Sequence, residues 1–253
     1  QLDEQAAIAA VSSGVTVVIT DDVPGTVTDY PPWQNPPVYT LTFSEPVTGL
    51  EIDDFIVGNG NVYSLEGSGA VWTALVVPLH DFQGDMTLTL RANAVTNAAG
   101  VGNPEVTAAA QPVDKVKPDL IGRTPERGST TFGIRDNFQL EFSEAIARGM
   151  GAVVLRRMNG GGIVETFDVA TSDRIVISGS TVIIDPTEEM LHGVEYSLAF
   201  WIDAFVDLAG NTLVDNFLTT TFSTEPVGAS ILQASNGLVF SVGGEVSVVG
   251  TQG

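Results

Sequence analysis

Carboxylates dominate the residues of this chain that could do chemistry. The sequence holds 31 Asp and Glu against 10 Lys and Arg, a formal net charge of −21 over 253 residues. An excess of hard oxygen ligands on this scale favours Ca2+. Asp203, Asp207 and Asn211 recur every four residues, and in a helical turn that spacing places their oxygens on one side. Asp21 and Asp22 are adjacent, with Asp53, Asp54, Asp81 and Asp85 following in the same half. Asp114 and Asp119 lie in the segment 112–119, which carries Pro112 and Pro118. No EF-hand loop is present to fix one ligand set. Each Asp also has a structural reading, closing a turn or capping a backbone N–H through its side chain.

Other chemistry is poorly supplied. Cysteine is absent, so disulfides, thiolate metal sites and Cys nucleophiles are excluded. Only His80 and His192 could serve as an imidazole base. Neither a Gly-x-Ser-x-Gly elbow nor a phosphate-binding Gly-x-x-x-x-Gly-Lys-Ser/Thr loop occurs. The expectation is that the protein is not an enzyme. Its charge repels nucleic acid and anionic membranes. No apolar run approaches the roughly 18 residues of a membrane span, so membrane insertion is not expected.

The elements that must position these residues read as strands. Val15–Thr20, Val38–Phe43, Trp72–Val77 and Met86–Leu90 alternate with period two, as do Phe138–Phe142, Ala152–Arg156, Ile163–Phe167, Arg174–Ser178, Thr181–Asp185, Tyr196–Phe200 and Thr219–Phe222. Ser178-Gly-Ser180 and Asn159-Gly-Gly-Gly162 are hairpin turns. Many short strands with regular turn signals predict an all-β chain of antiparallel β-sandwiches.

An internal repeat divides the chain. Leu41-Thr-Phe-Ser-Glu45 returns as Leu140-Glu-Phe-Ser-Glu144, and Thr96-Asn-Ala-Ala-Gly100 returns as Val206-Asp-Leu-Ala-Gly210. Two landmarks in the same order, about one domain length apart, argue for two related domains. In the motif, alternation turns Leu41 and Phe43 inward, and Pro46 is expected to end the strand. The expected layout is an N-terminal extension at 1–14, one sandwich at 15–113, a second at 114–226, and a C-terminal extension at 227–253 with further strands. Residues 112–119 read as a stiff linker. Trp72 and Trp201 are expected in the cores.

Val18-Ile-Thr-Asp-Asp22, Tyr39–Gly49, Asp53–Val57, Asp81–Thr87 and Ala92–Gly100 together resemble the bacterial Ig-like repeats of very large surface adhesins. Leu140–Glu144, Glu165–Asp168, Val176–Val182, Gly193–Tyr196 and Asp207–Asn211 are similar to the Ig-like domain of bacillus S-layer proteins. The resemblance implies two tandem Ig-like sandwiches, an extracellular or cell-surface location, and a spacer, lattice or adhesive role. It also implies Ca2+ at domain junctions, most readily at Asp114. The first half departs from its pattern between Thr28 and Val38, where four prolines, Tyr30 and Trp33 form a rigid loop.

These readings lead to a self-assembling filament or S-layer-like subunit, Ca2+-stabilised, whose partners are copies of itself. Strand exchange would use Val15, Val17 and Ile19 at one end and Leu238 and Phe240 at the other, with Trp33 as a further contact. The alternatives are a segment of a large adhesin beside neighbouring adhesin domains, or a polysaccharide-binding module resting on Trp33 and Tyr30.

Overall fold

The computed structural model describes residues 14–29, 36–215, 217–228, 230–234, 237–242 and 245–248, with side chains for 14–29, 36–215 and 218–228. The chain divides into two compact units, Gln1–Val116 and Lys117–Gly253. Both are built almost wholly of antiparallel strands.

Unit 1 contains β1 (Val17–Asp21), β2 (Val27–Thr28), β3 (Val38–Val47), a 3-10 turn (Ile52–Asp54), β4 (Phe55–Gly58), β5 (Gly60–Pro78), β6 (Gln83–Leu90), β7 (Val106–Thr107) and β8 (Gln111–Asp114). One sheet has the order β1-β3-β5, and the other β2-β8-β6-β4 with β7 beside β6. β5 is long because it folds back near Gly67 and Gly69, both at positive φ, where a side chain would be strained. Alternation on β1, β3 and β6 turns Val17, Tyr39, Leu41, Phe43, Met86, Leu88 and Leu90 into one core. β3 runs through Pro46 to Val47 instead of ending there, with an irregular register between Thr42 and Val47 that accommodates a residue lacking an N–H.

The segment expected as a linker is partly sheet. β8 pairs antiparallel with β6 and parallel with β2, and Val113 is buried in the core. The free link is therefore shorter than its prolines suggested. Its N-terminal end is held in unit 1: Lys115 N donates to Phe82 O, and Lys115 Nζ lies 3.5 Å from an Asp29 carboxylate oxygen. Its C-terminal end is held in unit 2, where Val214 N donates to Pro118 O.

Unit 2 contains β9 (Leu120–Thr124), β10 (Phe138–Phe142), β11 (Ile146–Arg148), β12 (Ala152–Arg157), β13 (Gly162–Asp168), β14 (Ile175–Ser178), β15 (Thr181–Ile184), β16 (Glu195–Trp201), β17 (Phe205–Asp207) and β18 (Phe217–Ser223). Its sheets are β14-β15-β10-β9 and β13-β12-β16-β18, with β11 paired to β17. Phe132, Phe138, Phe222 and Tyr196 form an aromatic cluster with ring centroids 5.2–5.9 Å apart. Beyond it, β19 (Ser230–Ala234), β20 (Gly237–Val242) and β21 (Glu245–Val248) form an antiparallel meander.

Two expectations about tryptophan fare differently. Trp72 is half-buried against the core, its indole N–H donating to Gly69 O. Trp201 is 60% exposed rather than buried. On β16 Tyr196, Leu198 and Phe200 take the core side, so the next residue must point outward.

Candidate functional site

The repeated motif proves to be a pair of clamps. In unit 1, Ser44 N donates to Thr16 O at 2.9 Å, and Thr16 N donates back to Ser44 Oγ at 3.1 Å. In unit 2, Ser143 N donates to Asp119 O at 2.9 Å, and Asp119 N donates to Ser143 Oγ at 2.9 Å. Each serine thus ties the strand carrying the motif to the residue that leads into the unit's first core strand, β1 or β9. The serine hydroxyl satisfies a backbone N–H that no ladder reaches.

The glutamate of each motif meets the second landmark. Asn97 Oδ1 accepts from Ala99 N and Val101 N at 3.0 and 2.8 Å, closing the Ala-Gly turn, while Asn97 Nδ2 donates to Glu45 Oε1 at 3.1 Å. Asp207 Oδ1 closes the matching turn in unit 2, accepting from Gly210 N at 2.6 Å and Asn211 N at 2.8 Å. A carboxylate oxygen of Asp207 lies within 4.8 Å of one from Glu144. Where unit 1 sets an amide against a carboxylate, unit 2 sets two carboxylates together. Like charges this close repel, and a hard cation between them would reverse the sign of the interaction. Asp207 is 2% exposed, so water screens the pair weakly.

The sequence-predicted metal ligands separate into groups. Asp207 and Asn211 do come together: Asn211 Nδ2 donates to Asp207 Oδ2 at 2.8 Å. Asp203 does not join them on a helical face. It lies in the turn before β17, its carbonyl accepting from Met150 N, and an extended strand then separates it from Asp207. Glu144 was missed, although its place in a repeated Leu-x-Phe-Ser-Glu marked it. Asp114, buried at the end of β8, accepts from Gln83 Nε2 at 2.8 Å and Val116 N at 3.2 Å. Asp119 leads into β9 and is clamped by Ser143. Asp21 and Asp22 are spent locally, accepting from Val23 N and Val38 N. The side chain of Asp21 also faces Tyr39, whose buried phenol is pushed up to about 12 by burial and then by the Asp21 charge.

Of the expected contact residues, Val15 and Val17 belong to the core of unit 1, with Ile19 packed against it. Their strand pairs in register with β3, Val17 opposite Phe43 and Ile19 opposite Leu41. Trp33 lies outside the described residues. Leu238 and Phe240 lie on β20, whose side chains are outside them too.

Family models confirm the two-domain reading. Residues 35–112 match one model described as a bacterial Ig-like domain, and residues 114–224 match a second model of the same description. A search of the curated proteins finds no match to the chain. Domains of this kind are typical of surface and adhesin-type proteins and are ordinarily structural modules rather than enzymes. No helix among the described residues is long and apolar enough to cross a membrane. The chain therefore carries two bacterial Ig-like domains in tandem, each closed by its own copy of the Leu-x-Phe-Ser-Glu clamp.

Proposed function

We propose that this protein is a non-catalytic, load-bearing segment of an extracellular bacterial surface structure. The observation that carries the reading is the parallel pairing of β2 with β8, the last strand of unit 1. β2 and β8 run parallel, Val27 opposite Val113 and Thr28 opposite Asp114, and the Asp29–Lys115 ion pair continues the row. Tension that pulls β2 and β8 apart along their length loads this row in shear. Its hydrogen bonds then resist together instead of unzipping one by one. Unit 2 repeats the arrangement, with a parallel bridge from Phe132 to Thr224 beside hydrogen bonds from Gly128 N to Thr221 O and from Ser223 N to Ser129 O.

Two finer readings extend this one. As a polymer-forming subunit, the chain would accept a strand from a neighbouring copy at the outer edge of β1, which pairs only with β3 among the described residues. As a spacer in a larger adhesin, it would stay monomeric and transmit force. Ca2+ held by Glu144 and Asp207 would stiffen unit 2 in either case. These two side chains supply at most four of the six to eight oxygens the ion takes, so further ligands are required.

Single-molecule pulling of the full chain tests the central reading. Val27→Pro removes an N–H from the parallel row and should lower the unfolding force of unit 1 while unit 2 keeps its own. An unchanged force would remove the load-bearing argument. Electron micrographs of the purified chain with and without Ca2+ separate polymer from spacer.

A further inference from the structure

Three Asn-Gly pairs occur in the sequence, at Asn59-Gly60, Asn159-Gly160 and Asn236-Gly237. Such a pair has a chemistry of its own. Glycine lacks a Cβ, so its backbone nitrogen can swing onto the side-chain carbonyl of the asparagine before it. Asn236 lies outside the described residues. The other two are both exposed and both at positive φ, 62° for Asn59 and 57° for Asn159, yet the fold treats them differently. Asn59 is pinned between β4, which ends at Gly58, and β5, which starts at Gly60. Its carbonyl accepts from Leu79 N at 3.0 Å, and its Nδ2 donates to Asp85 O at 2.8 Å. Met86 Sδ and Val77 O crowd Gly60. Asn159 lies at the tip of the β12–β13 hairpin, beyond the last ladder pair, Arg157 with Gly162. Its Nδ2 reaches Glu195 Oε2 at 3.4 Å, near the outer limit of a hydrogen bond. Open space surrounds the positions where a Cβ would stand on Gly160 and Gly162. This turn can therefore open without breaking the ladder, a local fluctuation of low cost.

We propose that Asn159 is a self-acting modification site, where the turn converts its own asparagine to aspartate and isoaspartate. Gly160 N gives up its proton to solvent and attacks Asn159 Cγ. The new C–N bond closes a cyclic imide. The Cγ–Nδ2 bond breaks, and Nδ2 takes a proton from water and leaves as ammonia. Water then adds to either carbonyl of the imide and opens the ring. The sum consumes one water and releases one ammonia, with no other reactant. Two charged side chains flank the turn. Arg157 packs against Gly161 and favours the anionic nitrogen, whereas Glu195 opposes it. Their effects run in opposite directions, so backbone freedom sets Asn159 apart from Asn59.

The product alters the hairpin in two ways. An amide that reaches toward Glu195 becomes a carboxylate that repels it. Isoaspartate also lengthens the main chain by one carbon, in a turn whose length fixes the register of β12 with β13. β13 is an edge of its sheet among the described residues and carries exposed Ile163 and Val164. The strand that loosens is thus one already open to pairing.

Peptide mass spectrometry of the full chain, held for days in neutral buffer at body temperature, tests the site. Cleavage at arginine releases residues 158–174, in which Asn159 is the sole asparagine. The mass of this peptide should rise by about 1 Da as an amide gives way to an acid. Asn59 should convert at least about tenfold more slowly, because two hydrogen bonds must open first. In denaturant the two rates should converge, since nothing then pins Asn59. Asn159→Gln should abolish the change in mass, because the longer side chain closes its ring far more slowly. Converted chains, separated by their added charge, should exchange the amide hydrogens of Ala152–Asp168 faster than unconverted ones. An Asn159 that is inert in the folded chain but reacts once denatured would overturn the proposal. An Asn59 that keeps pace with it in the folded chain would do the same, and so would a ratio of rates that denaturant leaves unchanged. Equal exchange in converted and unconverted chains would overturn the loosening of the hairpin. None of these outcomes depends on the force measurement on unit 1, so the load-bearing reading stands or falls separately.

Discussion

Replacing Tyr39 by Phe isolates one buried hydroxyl and predicts a specific pH dependence. Tyr39 is fully buried on β3, and its hydroxyl has no hydrogen-bond partner among the described residues. An unpaired buried hydroxyl costs about 1–3 kcal/mol, so the Phe variant should be more stable at neutral pH. The phenol ionises near 10 in the unfolded chain and at about 12 in the folded one. Below pH 10 both states hold the proton and the group adds no slope. Between 10 and 12 the unfolded chain releases its proton while the folded chain keeps it, so stability falls. Above 12 the loss is complete. Two units at 1.36 kcal/mol each amount to about 2.7 kcal/mol. Calorimetric scans of both proteins from pH 7 to 12 provide the assay, because other titrating groups cancel in the difference. A gain of 1 kcal/mol raises the melting temperature of a domain this size by about 4–8 °C. The gap between variant and wild type should be positive at pH 7 and widen steadily above pH 10, in the transition of unit 1 alone. A gap that stays constant with pH, or a variant less stable at pH 7, would show that the hydroxyl is paired and its ionisation unperturbed.

Asp207→Asn should leave the Ala-Gly turn intact, since an amide oxygen can accept the same two N–H bonds as it does at Asn97. It should also abolish any rise in melting temperature on adding millimolar Ca2+ to chelator-treated protein; in the wild type, saturation at a hundred times the Kd corresponds to about 2.7 kcal/mol. Phe138→Ala opens a cavity against two aromatic neighbours, Phe132 and Phe222, and should cost unit 2 about 3–5 kcal/mol by denaturant titration. Asn103→Ala removes the side chain that accepts from Val95 N and donates to Arg91 O and Pro104 O inside unit 1. Leaving those groups unpaired should destabilise that unit by about 1–3 kcal/mol in the same titration, with unit 2 unaffected. Gly149→Ala drives a Cβ into the Asp203 carbonyl and should lower the melting temperature of unit 2, by about 1–3 kcal/mol of stability.

Strands with one buried face were legible because each residue reports its side of the sheet. Phe138-Gln-Leu-Glu-Phe142 is read from the sequence with its bounds intact, and Leu140 and Phe142 point inward as alternation requires. Short strands were not legible in this way. β2 and β7 have two residues each, too few to show a period, and β8 is disguised by Pro112 and the charges after it. What places β8 in the sheet is pairing with β6 and β2, which no local pattern encodes. Trp201 was misjudged for a different reason. Its size suggested a core residue, yet the alternation of Tyr196, Leu198 and Phe200 had already assigned it to the other face. The metal candidates follow the same logic. Asp207 and Asn211 were singled out by a helical spacing, but a tight turn after a strand brings them together, and the true neighbour of Asp207 is Glu144, 63 positions earlier in the chain.

That neighbour gives the repeat its meaning. In both units a serine ties the motif's strand to the entry of the first core strand, and in both a side-chain oxygen, from Asn97 or Asp207, closes the Ala-Gly turn. The fold asks only for that one acceptor oxygen at the turn. The second atom of the head group is where the units differ: the Asn97 amide nitrogen donates to Glu45, whereas Asp207 Oδ2 accepts from Asn211 Nδ2 and the Asp207 carboxylate lies within 4.8 Å of that of Glu144. The amide solution completes unit 1 with protein groups alone. The carboxylate solution adds repulsion that the turn does not need, against a buried Asp207 and a half-buried Glu144. A cation between the two carboxylates would turn that repulsion into attraction. For this reason the difference between Asn97 and Asp207, rather than the acidity of the chain as a whole, marks where unit 2 could hold a metal ion.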